Sequence, residues 1–305
     1  MEPSLPVVPR LDPISRHDSS PLTGSCAELF ARRQCQGYLQ GRKPVTEQLA
    51  GGAVFPDLRG ASVFITGGGA GIGAALTEAF LEQGARVAFC QRSDVTVFCD
   101  RMETRHGNRP LFLQCDVTDE PALRAAMAEA ASRHGPITVL VNNAANDTRH
   151  DTLEISSDEW DDLIAVNLKS YFLTTQIAVP GMMEAGGGTI VNFSSISYML
   201  GMAEMTAYTT ANGGITAMTR GHAREFGRDG IRVNAVAPGW VLTDRQMRLW
   251  ASPEALDDFL TKQCLGRHLD PADLAGPVLF LASRASAMIT GQCLAVDGGV
   301  VTTAA

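Results

Sequence analysis

The chain has 305 residues, 45% of them apolar, and a formal net charge of −8. This length and apolar content suit a single α/β domain. The acidic balance argues against nucleic-acid binding, which requires a basic patch, and no apolar run approaches the roughly 20 residues of a membrane-spanning helix.

The cysteines are dispersed and odd in number, with no C-x-x-C pair, and they lie at positions 26, 35, 90, 99, 115, 264 and 293. This distribution is typical of a reducing compartment. The sequence therefore predicts a cytoplasmic protein without a disulfide framework or a metal site. Cys90 and Cys115 fall in predicted buried strands and are expected to pack as small core residues.

Residues 1–52 differ from the rest of the chain, because prolines interrupt any periodicity at positions 3, 6, 9, 13 and 21. The segment has no apolar stretch typical of a secretory signal, and its acidic residues argue against a transit peptide. We expect a disordered extension with one short helix at Ala27–Leu39, followed by a domain over residues 53–305.

From Ala53 onward, strand-like apolar runs alternate with helical patterns. The predicted strands are Ser62–Thr66, Arg86–Cys90, Leu111–Cys115, Thr138–Asn142, Thr189–Phe193, Ile231–Ala237 and Leu294–Val296. The predicted helices are Ala74–Gln83, Ser93–His106, Glu120–His134, Glu159–Glu184, Ala207–Gly227 and Pro271–Ser283, with a capping box of Ser156 and Glu159. This alternation predicts a Rossmann-type, doubly wound, seven-stranded parallel sheet with helices on both faces, whose ligands bind past the carboxyl ends of the strands.

A glycine-rich loop joins the first predicted strand to the first helix, and Thr66–Gly73 reads T-G-G-G-A-G-I-G. Gly67, Gly71 and Gly73 can adopt positive φ or lie against another backbone segment without a Cβ. The following helix N-terminus presents free N–H groups to a phosphate. In this context the loop predicts dinucleotide binding, although its spacing departs from G-x-G-x-x-G and a flexible turn is the alternative.

Polar residues follow the next predicted strands. A carboxylate after the second strand would bind the ribose of NAD, whereas an arginine suits the additional phosphate of NADP. Gln91 and Arg92 stand there and favour NADP, unless Arg92 is only a solvated surface residue. Asp116 is placed to contact the adenine or, alternatively, to cap the helix that starts near Asp119. Small residues at 142–145 would let the backbone pass close to a nicotinamide ribose.

These residues resemble the short-chain dehydrogenase/reductase superfamily over roughly Ala53–Val300. The similar segments agree in order, spacing and position at strand ends, and they are T-G-G-G-A-G-I-G at 66–73, Asp116-Val117, N-N-A-A at 142–145, Asn167, Ser194-Ser195, Tyr208, P-G at 238–239 and V-D-G-G at 296–299. The resemblance implies an NAD(P)-dependent oxidoreductase that acts on a CH–OH group.

A narrower similarity is to the aldose 1-dehydrogenases, which oxidise xylose, arabinose, galactose or fucose to a lactone. The similar segments are N-A-A-N-D-T-R-H at 143–150, S-I-S-Y-M-L-G at 195–201, P-G-W-V at 238–241, R-Q-M-R-L-W at 245–250 and Q-C-L at 263–265. Asn146, Asp147, Arg149 and His150 could bind a polyol, although Arg149 and His150 are expected to order the loop instead.

The resemblance also assigns roles. Tyr208 would be the general base, Ser195 would hydrogen-bond the same reacting oxygen, and Asn167 would kink its helix and hold a water of the proton relay. The implied cofactor contacts are Gly67, Gly71, Ile72, Gly73, Gln91, Arg92, Asp116, Val117, Asn143, Ala144, Tyr208, Asn212, Pro238, Gly239, Val241 and Thr243. The implied substrate contacts are Asn146, Ser197 and Trp240.

The chain departs from the pattern of the family that it resembles at position 212. The family pattern is Y-x-x-x-K, whereas this chain has Asn212 one helical turn after Tyr208. The missing lysine would bind the nicotinamide ribose and lower the tyrosine pKa. A unit positive charge ~4 Å from the phenolate stabilises it by about 4 kcal/mol at an effective dielectric constant of ~20, which lowers the tyrosine pKa by roughly 3 units. Lys169 is expected to face elsewhere and not to replace it.

Two hypotheses remain open from the sequence. The first is a sugar dehydrogenase with residual or high-pH activity, and the second is a cofactor-binding pseudoenzyme with a structural or regulatory role. The resemblance also implies a homodimer or homotetramer that pairs through Glu159–Glu184 and Ala207–Gly227. These two helices carry further apolar residues at Trp160, Phe172, Ile177, Met218 and Phe226.

Overall fold

A computed structural model describes residues 52–303. Its centre is a seven-stranded sheet with the strand order β3-β2-β1-β4-β5-β6-β7, and every neighbouring pair is parallel. The strands are β1 Ser62–Thr66, β2 Arg86–Gln91, β3 Leu111–Gln114, β4 Val139–Asn142, β5 Gly188–Phe193, β6 Ile231–Pro238 and β7 Cys293–Val296. The predicted seven-stranded parallel sheet is confirmed, whereas the predicted extension, apart from position 52, lies outside the described residues.

Helices cover both faces of the sheet. They are α1 Gly71–Glu82, α2 Thr96–His106, α3 Glu120–His134, α4 Ser157–Ile164, α5 Ser170–Glu184, α6 Ser197–Leu200, α7 Thr206–Phe226, α8 Asp244–Leu249, α9 Pro253–Thr261, α10 Ala275–Ala282 and α11 Val300–Thr303. Short 3₁₀ turns lie at Pro56–Leu58, Gly227–Asp229, Pro271–Leu274 and Arg284–Ser286. Within residues 52–303, no helix combines the length and the apolar character needed to cross a membrane.

The core consists of two main hydrophobic clusters, one on each face of the sheet. Val63 and Ile65 of β1 belong to the cluster that contains α1 and α10 residues, whereas Phe64 between them belongs to the cluster of α3 and α5. Successive side chains of a strand point to opposite faces, and both faces here are covered by helices. This is why the strands read as continuous apolar runs. Cys90 and Cys115 are buried in the second cluster, as predicted.

The position of the ligand site follows from the strand order. The chain builds β1 to β3 outward on one side of the sheet and then crosses back, so that β4 lies on the other side of β1. Ligands of doubly wound sheets bind in the crevice at such a reversal, beyond the carboxyl ends of the strands. The loops after β1 and β4 therefore meet at the expected site.

The predicted helix Glu159–Glu184 is not continuous. It consists of α4, a π-helical segment at Ala165–Lys169, and α5. The predicted capping box at the start of α4 is confirmed, because Ser156 and Glu159 exchange side-chain-to-backbone hydrogen bonds. The predicted helix at 271–283 begins as a 3₁₀ turn. The short helices α6, α8, α9 and α11 were not predicted.

Candidate active site

The glycine loop between β1 and α1 has a fixed shape. Gly67 and Gly71 adopt φ values of +71° and +52°, a region that favours glycine. A Cβ on Gly73 would lie 1.9 Å from the carbonyl oxygen of Gly67, so this position accepts no side chain. The loop is also tied to its helix, because Thr77 Oγ1 donates to the carbonyl of Gly68 at 2.8 Å. These constraints favour the dinucleotide-binding interpretation over a flexible turn.

The ends of β1 and β4 are joined directly. Thr66 Oγ1 accepts hydrogen bonds from the backbone N–H groups of Asn143 and Ala144 at 2.9 and 3.0 Å. In return, Asn143 Nδ2 donates to the carbonyl oxygen of Thr66 at 2.9 Å. Asn143 and Ala144, the predicted nicotinamide-side residues, therefore lie against the glycine loop.

Helix α1 leaves its N-terminus free for a phosphate. No side chain caps its first turn. The uncapped N–H groups and the positive end of the helix dipole follow directly after the glycine loop. The cradle at Gly67–Gly73 therefore fits the pyrophosphate of a dinucleotide.

Gln91 ends β2 and Arg92 follows it, at the predicted adenosine end of the site. Gln91 Oε1 accepts from the N–H of Gly69 at 2.9 Å, and its Nε2 donates to Ser93 Oγ at 3.0 Å. Gln91 thus supports the glycine loop. The Arg92 side chain is 79% exposed, and its guanidinium lies 3.6 Å from the carboxylate of Asp116.

Asp116 forms a local turn after β3. Its carboxylate accepts hydrogen bonds from the backbone N–H and the hydroxyl group of Thr118 at 2.9 and 2.8 Å. Partial burial raises the Asp116 pKa, but the Thr118 hydrogen bonds and the charge of Arg92 together lower it below its ordinary value. Helix α3 is capped by Asp119, which accepts from the N–H of Ala122. The alternative that Asp116 caps this helix is therefore wrong.

Ser195 and Tyr208 come together at the carboxyl edge of the sheet. Ser195 follows β5, Tyr208 lies in the first turn of α7, and the two side chains are near enough for Ser195 to act on the pKa of Tyr208. The pKa of Tyr208 is raised to about 12. Burial of the phenol is the main cause and the negative charge of Asp147 adds to it, outweighing the hydrogen bonds with Ser195 and Asn212.

Asn212 stands where the family has its lysine. The residue is only 2% exposed, and its Nδ2 donates to the backbone carbonyl of Tyr208 at 2.8 Å. The predicted position, one turn after Tyr208, is thus confirmed. Within residues 52–303 neither lysine replaces the charge, because Lys169 is exposed and Lys262 pairs with Asp258 at 2.6 Å.

Asn167 links the distorted helix to the loop after β4. Its Oδ1 accepts from the N–H of Asn146 at 2.8 Å, and its Nδ2 donates to the carbonyls of Asn146 and Leu163, both at 2.9 Å. Asn167 lies inside the π-helical segment, so the predicted distortion is confirmed. Asn146 uses its own side-chain oxygen to accept from Thr148. The role of Asn167 in holding a relay water stays a prediction.

Arg149 and His150 order this loop, as the sequence predicts. The guanidinium of Arg149 lies over the ring of Trp250, 4.5 Å from its centroid. His150 Nε2 accepts a hydrogen bond from the N–H of Ala207 at 3.3 Å, in the first turn of α7. Both side chains are therefore engaged with other parts of the protein.

Asp147 was expected to be a possible polyol ligand, but its carboxylate is bound by α8. Its Oδ1 accepts from Nε and a terminal nitrogen of Arg245 at 3.1 and 3.0 Å, and its Oδ2 accepts from Gln246 Nε2. Gln246 Oε1 in turn accepts from the indole N–H of Trp240 at 2.9 Å. The loop after β4 is thereby connected to α8.

Comparison with known proteins gives the family. A sequence-family model described as enoyl-(acyl carrier protein) reductase matches residues 67–301. The chain is 47% identical over 248 residues to the "Probable galactose dehydrogenase GalD" of Rhizobium meliloti (strain 1021), covering 81% of this chain and 97% of that protein. The chain belongs to the short-chain dehydrogenase/reductase superfamily.

Further similarities agree with this family. The D-xylose 1-dehydrogenase of Caulobacter vibrioides is 42% identical over 248 residues, covering 81% of this chain and 98% of the relative. A crystal structure of an Agrobacterium tumefaciens protein that is assigned as a gluconate dehydrogenase superimposes with a TM-score of 0.78 at 31% identity. The match covers 82% of this chain and all of that one. The short-chain dehydrogenase described here is therefore an NAD(P)-dependent oxidoreductase that acts on the CH–OH group of a small molecule.

The segment after β6 supplies further predicted cofactor residues of this short-chain dehydrogenase. Pro238 ends β6 and Gly239 follows it, while Val241 is buried at 5% exposure. Thr243 caps α8, and a Cβ on Gly71 would lie 3.1 Å from its methyl group. The segment therefore reaches the glycine loop.

The remaining predicted residues lie on elements around the same edge of the sheet. Ile72 packs against the core at the start of α1, and Val117 is 6% exposed after β3. Ser197 begins α6, 3% exposed, and its hydroxyl has no hydrogen-bond partner among residues 52–303. Trp240 packs edge-on against Phe259 with ring centroids 5.4 Å apart.

Sequence reasoning did not single out Arg245, Gln246 and Trp250 as site residues. Their only signal was the R-Q-M-R-L-W similarity at 245–250, which gave no partner for any side chain. The structure adds a cluster of possible metal ligands between α1 and α2, formed by Glu78, Glu82 and His106. Glu78 already accepts a hydrogen bond from Arg105 there.

Proposed function

We propose that this short-chain dehydrogenase oxidises an aldose sugar at its anomeric carbon to the lactone, with NADP as the preferred cofactor. The observation that carries the proposal is the Ser195–Tyr208 pair at the same edge of the sheet as the glycine loop. The relatives named galactose dehydrogenase and D-xylose 1-dehydrogenase support a sugar substrate, because 47% and 42% of the aligned residues are identical.

In this proposal Tyr208 removes the proton of the reacting hydroxyl group, and Ser195 hydrogen-bonds the same oxygen. A bound nicotinamide cofactor supplies the hydride acceptor. Asn212 can hydrogen-bond a ribose hydroxyl, but a neutral amide does not stabilise a phenolate by charge. The small phenolate fraction of Tyr208 therefore limits turnover at neutral pH.

The substrate side is formed by the loop after β4, α6 and the segment after β6. Asn146, Ser197 and Trp240 stay the proposed sugar contacts. The side-chain oxygen of Asn146 and the indole N–H of Trp240 already have partners within the protein. These two residues would therefore act mainly through shape and through their remaining polar atoms.

The preference for NADP rests on the residues after β2. No carboxylate stands at Gln91 to repel the additional phosphate of NADP, and the neighbouring Arg92 guanidinium is 79% exposed. Replacing Arg92 with alanine is expected to weaken NADP binding about tenfold, since a charge-assisted hydrogen bond is lost, while NAD binding changes little. Titration of tryptophan fluorescence measures both. Arg101→Ala on α2 is the control, and equal losses for NADP and NAD would contradict the role of Arg92.

The activity is tested by screening pentoses and hexoses with NADP and NAD at several pH values. Formation of reduced cofactor is expected with at least one aldose, with the rate rising toward alkaline pH. Tyr208→Phe, which keeps the ring but removes the base, should abolish the signal. A protein that reduces no cofactor with any aldose up to pH 10 would contradict the proposal.

A second candidate function is a cofactor-binding protein without turnover. The observation that favours it is the buried neutral Asn212 beside a tyrosine whose pKa is raised to about 12. The two candidates differ in their response to a restored charge. Asn212→Lys should gain aldose oxidation if only the base is impaired, and it should stay inactive if the substrate contacts are also lost.

A further inference from the structure

Helices α8 and α9 form a segment with little core of its own. In α8 no residue is fully buried, and in α9 only Leu256 is. Helices this short are not stable alone in water, because the conformational entropy lost in forming the first turn outweighs the free energy of a few backbone hydrogen bonds. The position of the segment must therefore depend on contacts with neighbouring parts of the protein.

The loop after β4 supplies such contacts at two points. Asp147 accepts hydrogen bonds from Arg245 and Gln246, and its side chain is 21% exposed. The guanidinium of Arg149 lies over Trp250, just past the end of α8. We call these five residues the clasp.

The same loop is fixed on its other side to the catalytic helices. Asn146 is hydrogen-bonded by Asn167 in the π-helical segment, and His150 accepts from the N–H of Ala207, next to Tyr208. The loop thus connects the helices that carry the catalytic residues with α8. Because α8 begins beside the glycine loop, the clasp joins the substrate side to the cofactor side.

We propose that Asp147 is a positioning residue that anchors α8 and α9 over the active site through Arg245 and Gln246. Its carboxylate has a second effect, because its negative charge adds to the rise of the Tyr208 pKa and so opposes formation of the phenolate. Tyr171 of α5 also interacts with Tyr208 electrostatically, but burial raises its own pKa, so it stays neutral. The anchoring of α8 and the effect of the charge on Tyr208 can be distinguished by changing either Asp147 or Arg245 of the ion pair.

The test uses Asp147→Asn and Arg245→Gln in the full-length protein. Both variants remove the ion pair, but only the first removes the negative charge near Tyr208. Asp100→Asn on α2 is the control, because it breaks an ion pair with Arg109. Trypsin cleavage after Arg248 and Lys262, followed by mass spectrometry, reports opening of α8 and α9 without any ligand.

Both clasp variants are expected to be cleaved about tenfold faster at these two positions, with unchanged circular dichroism. The control is expected to match the wild type. With an aldose substrate, which rests on the proposed function, both variants should raise KM. Only Asp147→Asn should also shift the pH dependence of kcat to lower pH, an effect that a purely structural role would not produce.

Unchanged cleavage after Arg248 and Lys262 in both variants would overturn the anchoring, whatever the activity. Faster cleavage in the control as well would overturn it too, because the effect would then not belong to the clasp. Absence of aldose turnover in the wild type and all variants would instead contradict the proposed function, while the cleavage rates still decide the role of Asp147.

Discussion

In the proposed mechanism, Tyr208 and Asn212 decide the rate of proton removal. A phenol is a weak base at neutral pH unless a positive charge lowers its pKa. Here the lysine position holds an amide, and its Nδ2 donates to the backbone of its own helix. Burial and the charge of Asp147 raise the Tyr208 pKa to about 12. The base is therefore protonated at neutral pH almost completely.

The pH dependence of turnover follows from this value. The active form of Tyr208 is the phenolate, so the rate is expected to rise with pH as long as the pH stays below about 12. The expected slope of log kcat between pH 7 and 10 is about one unit per pH unit. Steady-state assays with saturating aldose and cofactor measure it. A flat profile would show that proton removal by Tyr208 does not limit the rate.

Restoring the missing charge should increase the rate at neutral pH. In Asn212→Lys, an ammonium group ~4 Å from the phenolate oxygen of Tyr208 would stabilise the phenolate by about 4 kcal/mol at an effective dielectric constant of ~20. We expect kcat at pH 7 to rise by roughly 10²–10³ and its pH profile to flatten toward neutrality. Asn212→Ala is the control, since it removes the amide without adding charge and should give no gain. A gain in the alanine variant would contradict the charge argument.

Among the elements, the β1–loop–α1 unit depends most on local geometry. The carbonyl oxygen of Gly67 lies so close to Gly73, at the start of α1, that it occupies the space in which a side chain at position 73 would begin. Helix α1 then begins without a side-chain cap. Both features fit the predicted phosphate site, because the first N–H groups of a helix without a side-chain cap can bind an anion.

A single methyl group in this unit should abolish dinucleotide binding. In Gly73→Ala the new Cβ would lie 1.9 Å from the oxygen of Gly67, so the loop must move. We expect affinity for NADP and NAD to fall at least 100-fold in fluorescence titrations, because the phosphate cradle loses its shape. Gly276→Ala is the control, since a Cβ there meets no atom within 4 Å. Wild-type affinity in Gly73→Ala would refute a phosphate site at this loop.

For the whole molecule, the predicted homo-oligomer depends on the outer faces of α5 and α7. Of the apolar residues named for pairing, Ile177 and Phe226 pack partly against the core of the same chain. Phe172 is 47% exposed and Met183 is 40% exposed, both on α5. Full burial of an apolar side chain of this size is worth about 1.5–3 kcal/mol, and the part of that free energy belonging to the area still exposed is not yet gained. A second chain covering α5 would bury that area.

We expect a dimer or tetramer by light scattering at micromolar concentration. Phe172→Glu places a charge in the predicted interface and should shift the distribution toward the monomer. Val97→Glu is the control, because Val97 is 81% exposed on α2 and away from α5. A wild-type monomer, or a variant with the wild-type mass, would contradict pairing through α5.

The sequence by itself determined the sheet, its glycine loop and the order of the catalytic residues. These features are local or periodic: β1 is delimited by an apolar run and a glycine loop, and α4 by the Ser156 capping box. It did not reveal α8 and α9, which are too short for a helical period, nor the π-helical form that the distortion predicted at Asn167 takes.

Only the tertiary structure decided which polar side chains meet. Asp147 and Arg245 are 98 residues apart in the chain, and Gln91 binds a loop residue 22 positions before it. No local pattern encodes such pairs, because they arise when strand ends from different parts of the chain reach one edge of the sheet. The Tyr208 pKa likewise depends on the tertiary structure, since burial and the charge of Asp147 raise it only in the folded chain.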